Sequence, residues 1–149
     1  MLTNTMSPLL AVSLIIVLVL STTAAGLIVR ARSGRVTHRA DGHRISSAAL
    51  GTTAPLGRSA TLVQFSTEFC AQCPGTRRLL HELADGEPGV GVLDVDLTHR
   101  PDLADRFSVL QTPTVLLLDR AGVVRGRFSG AARRAVLAGE LQSVLRRPA

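Results

Sequence analysis

The hydrophobic pattern changes character three times along the chain. Residues 8–29 are uncharged and mostly aliphatic with no period, and they number about the twenty that a bilayer-spanning helix requires. Residues 30–57 are rich in Arg, Ser, Thr, Ala and Gly and hold no sustained period, which predicts a tether; within it 45–50 is expected to form a short element against a domain edge. From Arg58 onward the periods alternate. Residues 61–66 and 90–97 are rich in β-formers, whereas 74–84 carries Leu79, Leu80 and Leu83 at helical spacing. Residues 101–107 predict a short helix with Leu103 and Phe107 on one face. Residues 114–118 and 123–128 flank Asp119, Arg120, Ala121 and Gly122, a hairpin turn closed by glycine. A last amphipathic helix over 131–145 is expected to turn Val136, Leu137, Leu141, Val144 and Leu145 inward. The order β-α-β-α-β-β-α predicts one α/β domain over residues 58–147, preceded by an apolar span (8–29) and a basic linker (30–57).

The apolar span has a rival reading as a cleaved signal peptide, because Thr23, Ala24 and Ala25 loosely resemble a small-residue cleavage site. Signal peptides normally open on a basic segment, and no Lys or Arg precedes this run, so a single-pass membrane anchor is the expectation. Arg30, Arg32, Arg35, Arg39 and Arg44 follow the span with Asp41 as the one acid among them. The positive-inside rule therefore places the domain on the cytoplasmic face of the cell membrane. The alternative is the extracytoplasmic side, where disulfides persist.

The net charge of +6 raises a nucleic-acid reading, which its distribution removes. Residues 30–58 hold six Arg and one Asp, while 59–149 hold eleven Arg against ten acids. The basicity thus belongs to the linker, where it suits anionic lipid headgroups. With no Trp or Tyr for base stacking, and the four Phe assigned to core positions, no nucleic-acid partner is expected.

Candidate chemistry is concentrated in the run TLVQFSTEFCAQCP at 61–74, which contains the only two cysteines, Cys70 and Cys73. A strand-like stretch here runs into a helix start. Two residues three apart face one side of a helical turn, close enough for their sulfurs to bond. The N–H groups and dipole at a helix N-terminus favour the thiolate of the first cysteine, so Cys70 is the expected nucleophile and Cys73 the resolving thiol. A zinc site would need His81 and His99 at spacings typical of no zinc motif. Haem attachment requires His after the second cysteine, where Pro74 stands. A purely structural disulfide across so small a loop would restrict the unfolded chain little. His38 and His43 in the tether, and His81 and His99 in the domain, are read as exposed, and no metal and no dissociable cofactor are expected.

Strand, CxxC, helix, a later Thr-Pro before a strand, and a closing hairpin and helix together make residues 58–145 resemble the thioredoxin family. The resemblance implies a central mixed sheet flanked by helices and a protein thiol–disulfide oxidoreductase, with reduction the expected direction on the cytoplasmic face. Its partners would be protein dithiols or disulfides and a redox partner protein. It implies that Thr112 and Pro113 form the family's cis-proline dipeptide, which offers backbone groups to an extended substrate; X-Pro is the linkage at which a cis bond costs little. The sequence departs from the family pattern at four places. Phe69 stands for the usual Trp, and Ala71 and Gln72 for Gly-Pro. Gln64 occupies the position of a buried acid, and Val92 that of its Lys partner. Lacking that acid, Cys73 has no such proton acceptor, and its attack is expected to be slower than in a typical thioredoxin. Glu68 is expected to be solvated rather than to substitute for it. A different class of function, a docking or redox-sensing module that does not turn over, is compatible with the same fold.

Overall fold

The computed structural model describes residues 8–32, 36–37 and 44–146, which divide into two units. The first is helix α1, Pro8–Arg32. Its stretch Leu10–Ile28 is 19 residues long, about 28 Å at 1.5 Å per residue, which suits a hydrocarbon layer of about 30 Å. Its large apolar side chains, Leu14, Ile15, Val17 and Leu20 among them, are exposed around the whole circumference. The four hydroxyls inside it bond back to the helix: Ser13 donates to the Leu10 carbonyl (2.9 Å), Ser21 to Val17 (2.8 Å), Thr22 to Leu18 (2.9 Å) and Thr23 to Val19 (2.7 Å). Within Leu10–Ile28 every hydroxyl is thus bonded inside the helix, as a hydrocarbon surrounding requires. This helix is a candidate membrane span.

The second unit carries a five-stranded sheet in the order β1-β5-β4-β2-β3. Its strands are β1 (Val36–Thr37), β2 (Ala60–Ser66), β3 (Val90–Asp96), β4 (Thr114–Asp119) and β5 (Val124–Ser129). Strands β2 and β3 are parallel, from Ala60 opposite Val90 to Ser66 opposite Asp96, with α2 (Cys73–Asp85) as the crossover. Antiparallel pairing joins β2 to β4, β4 to β5, and β5 to β1. All seven residues of β2 are buried, because the central strand is covered on both faces. Its alternate side chains feed two cores. Val63 and Phe65 pack with Leu116, Leu118, Val95, Leu97 and Leu103 of α3 (Pro101–Arg106). Ala60 and Leu62 pack on the other face with Val115, Leu117, Leu80 of α2, and Leu137, Leu141 and Val144 of α4 (Arg134–Leu145). The result is the α/β domain that the sequence pattern predicts, with the mixed sheet flanked by helices that the family resemblance implies.

Three details differ from expectation. Helix α4 begins at Arg134, and Val136 is 36 % exposed, since the stripe Leu137, Leu141, Val144 already fills the inner face and Val136 lies about 100° off it. Phe69 is 88 % exposed and takes no part in the core, unlike Phe65, Phe107 and Phe128; the rings of Phe65 and Phe107 lie 5.2 Å apart. Finally, the packed unit reaches back beyond Arg58. Strand β1 pairs with β5, Arg44 forms a bridge to Val123, and Ile45 and Leu50 are buried within the Phe65 core, with a 3-10 turn at Ala48–Leu50. The short element expected over 45–50 is thus present, and its Ile45 and Leu50 are packed into the core rather than against an edge. Of the basic linker, residues 33–35 and 38–43, including His38 and His43, lie outside the described residues.

Candidate active site

The site is built where β2 stops. After Ser66 the chain turns through residues 67–72, and the N–H of Cys70 donates to the Thr67 carbonyl (3.2 Å). The N–H of Cys73 donates to the Cys70 carbonyl (3.2 Å), closing a turn that hands the chain to α2. Cys73 is the first residue of that helix, so Cys70 lies in the preceding turn rather than on the helix, a correction to the helical-face argument. The turn itself brings the cysteines together: they are disulfide-bonded with their Cα atoms 5.4 Å apart. Their surroundings differ. Cys70 is partly accessible, whereas Cys73 is 3 % exposed. A partner sulfur therefore reaches the first cysteine and not the second. No acidic side chain stands in the first turn of α2.

Thr112 and Pro113 are brought to this turn from 40 residues further along the sequence. Their peptide bond is cis, and the Thr112 and Thr67 hydroxyls lie 3.2 Å apart. Thr67 thus touches both halves of the site, through its hydroxyl to Thr112 and through its carbonyl to Cys70. Pro113 is buried, and its carbonyl accepts the N–H of Gly130 (2.8 Å), which fixes the segment to the end of β5. Leu110, just before it, is 95 % exposed. Phe69 and Leu110 are thus two large apolar side chains in water, one adjoining Cys70 in sequence and the other close before Thr112.

A polar brace holds the turn from the β3 side. The backbone N–H of Glu68 donates to the Thr98 hydroxyl (3.0 Å), and Thr98 donates from its own hydroxyl and N–H to Asp96 (2.5 and 2.8 Å). Those bonds hold the exposed Asp96 carboxyl below its ordinary range, the Thr98 hydroxyl being the largest cause. Glu68 is exposed, as expected. Sequence reasoning missed Thr67, Asp96 and Thr98 because a hydroxyl or carboxylate in a loop has many roles, and nothing in the spacing announces contacts across 30 residues or more.

Beneath the disulfide lies Gln64, fully buried in the middle of β2. Its Nε2 donates to the Cys73 carbonyl (3.2 Å). Its Oε1 is, among the buried side-chain polar atoms of the described residues, the one without a hydrogen-bond partner. Val92 packs among partly buried apolar residues on the α2 and α4 side of the sheet. His81 and His99 are exposed, and among the described residues no three His, Cys, Asp or Glu side chains gather to hold a metal.

The family model for thioredoxin matches residues 54–143, more than half of the chain. The chain belongs to the thioredoxin family. Solved structures of similar fold include thioredoxin-2 of a malaria parasite, described as a component of its protein secretion machinery (22 % identity, 57 % of this chain and 82 % of that one, TM-score 0.52). A mutant thioredoxin of Halobacterium salinarum (20 % identity, 62 % and 80 %, TM-score 0.53) and the oxidised mitochondrial thioredoxin 3 of Saccharomyces cerevisiae (23 % identity, 58 % and 79 %, TM-score 0.51) share that fold. No curated protein is similar enough to the chain to count as a match. Family membership together with the bonded Cys70–Cys73 pair supports thiol–disulfide oxidoreductase chemistry.

Proposed function

We propose that this protein is a membrane-tethered thiol–disulfide oxidoreductase that exchanges disulfides with protein partners through Cys70 and Cys73. The observation that carries the reading is the asymmetry of the bonded pair: an accessible Cys70 at a turn and a buried Cys73 at the first position of a helix. In the reducing direction the Cys70 thiolate attacks one sulfur of a partner disulfide. A Cys70–partner disulfide forms, and the partner's other sulfur leaves as a thiolate. Cys73, as thiolate, then attacks the Cys70 sulfur; the Cys70–Cys73 bond forms and the second partner sulfur leaves. Two electrons pass from the dithiol to the partner, and a second redox protein restores the dithiol by the same steps in reverse. The protons lost by the two cysteines end on the partner's thiols through solvent.

Thr112 and Pro113 are the substrate-positioning segment in this reading, supported by the Thr67 bridge between that segment and the Cys70 turn. Exposed Phe69 and Leu110 supply apolar area for a polypeptide rather than a small thiol. Helix α1 is the tether, and the arginines that follow it favour the cytoplasmic face, where reduction is the working direction. With Gln64 in place of an acid, Cys73 lacks a side-chain base, and resolution of the mixed disulfide is slow relative to a typical thioredoxin. Mixed-disulfide lifetimes measured by quenched alkylation check this; lifetimes no longer than those of a typical thioredoxin count against it.

The test of the function is turnover of a model protein disulfide by the full chain in detergent micelles, with and without Cys70→Ser. Catalysed reduction or formation of the disulfide that vanishes in the variant supports the enzyme. A cellular phenotype that survives Cys70→Ser favours instead a thioredoxin-fold docking or sensing module, a reading to which the exposed Phe69 and Leu110 also lend themselves. Protease accessibility of the domain in intact cells tests its side of the membrane, and digestion without lysis would reverse the cytoplasmic assignment.

A further inference from the structure

Gln64 poses a problem that the disulfide-bonded state does not solve. It is a fully buried amide in the central strand, and only its NH2 group is used. Because a carbonyl accepts and cannot donate, the Cys73 oxygen fixes the amide with its nitrogen toward the helix start. Oε1 is left on the other arm of the same carbon, without a donor. A buried acceptor with no partner carries the whole desolvation penalty of that group. Such a defect beside a reactive pair asks which state of the pair removes it.

Opening the disulfide creates two new donors, the two thiols. The Cys70 thiol is partly accessible and can be solvated. The Cys73 thiol is buried, and it belongs to the residue whose carbonyl already holds the Gln64 amide. We infer that in the dithiol state the Cys73 Sγ–H donates to Gln64 Oε1, so that Gln64 is a positioning residue that tunes the redox equilibrium of the pair. The inference rests on the reading of Cys70 and Cys73 as a cycling dithiol.

One consequence has a fixed sign. The acceptor is unpaired in the disulfide and paired in the dithiol, so Gln64 favours the dithiol relative to an apolar side chain at the same place. A protein whose reduced form is stabilised has the less negative potential. Gln64 cannot take the proton. Cys73 must release it to solvent before its sulfur attacks Cys70, and the departing partner thiolate recovers a proton from solvent, which leaves the second step governed by pH rather than by an internal base.

The experiment compares wild-type full chain with Gln64→Leu, both in detergent micelles, across a glutathione series read by alkylation mass shift. The expected result is a shift of about tenfold toward the disulfide in Gln64→Leu, about 30 mV more negative for a two-electron couple. An equilibrium unchanged within about twofold, or moved toward the dithiol, overturns the inference; the former is the outcome if a buried water satisfies Oε1 in both states. Gln64→Glu at acidic pH keeps both a donor and an acceptor, and should restore the wild-type equilibrium. Should Gln64→Leu fail to fold, the infrared S–H stretch of the reduced wild-type chain decides: two bands, one displaced to lower wavenumber, support the bond, and a single band at the solvated-thiol position overturns it. A wild-type chain that never cycles between dithiol and disulfide overturns the oxidoreductase reading itself. That result is distinct from a chain that cycles but ignores residue 64.

Discussion

Two turns at the ends of neighbouring central strands are built to opposite standards. The hairpin between β4 and β5 has no buried side-chain polar atom without a partner. The Asp119 carboxylate accepts N–H groups from Ala121 and Val123 (both 2.9 Å) and a side-chain bond from Arg125 (2.7 Å). Gly122 takes the left-handed conformation (φ +77°) and lies so close to the Ile45 carbonyl that a Cβ would come within 2.5 Å of it. The turn after β2 does the reverse. It holds a phenylalanine in water and a disulfide-bonded cysteine pair, and the strand that leads into it carries a buried Gln64 oxygen without a donor. Local rules hold where stability alone is at stake and are broken together where exchange takes place, which is the pattern expected of a functional site.

The sharpest way to break that comparison is chemical. Cys70→Ser should abolish exchange with protein disulfides, and turnover above the uncatalysed rate would show that the turn is reactive for some other reason. The hairpin should respond in stability and not in chemistry. Gly122→Ala forces a strained φ and a backbone clash, and should destabilise by about 2 kcal/mol or more in urea unfolding, while Cys70 alkylation of the folded protein stays unchanged. Asp119→Ala, which strands two N–H groups, should destabilise by about 1–2 kcal/mol.

The pH dependence follows from the same carboxylate. Burial raises the Asp119 carboxyl, but the Val123 N–H, Arg125 and the Ala121 N–H outweigh it and hold it below its ordinary value. With the folded value depressed, the stabilisation is present above about pH 4, the unfolded carboxyl range, and is lost as pH falls through the lower folded value. The acid slope of stability should therefore be shallower in Asp119→Asn, and an unchanged slope would remove this residue from the account. The smallest effect is expected at Phe69→Ser. Stability should stay within about 0.5 kcal/mol, because the side chain packs against nothing, while exchange with a protein disulfide slows more than exchange with glutathione. Equal slowing of both would remove Phe69 from partner contact.

How much was legible in the sequence depended on what each feature needed. Strands β2, β3, β4 and β5 and helices α2 and α3 follow from period and turn chemistry, and their bounds move by no more than about two residues. Gly122 in a left-handed turn was readable from its place after Asp119. Features that depend on contacts distant in sequence were not. The element at 45–50 is legible, but the burial of Ile45 and Leu50 in the Phe65 core is not, and Phe69 looks like core until the turn is seen to face it outward. The position of Gln64 opposite the cysteines could be aligned, but its half-used amide could not. That requires knowing which carbonyl its nitrogen reaches.

The central claim is that Cys70 and Cys73 form a reversible couple, and its most direct test is the thiol–disulfide equilibrium of the full chain against a glutathione series, read by alkylation mass shift because the protein has no Trp to report by fluorescence. The account predicts one reversible two-electron transition between about −270 and −120 mV, the span of thioredoxin-type reductants and strong oxidants. A Cys70–Cys73 disulfide that fails to form at any poise, or never reopens, would contradict it.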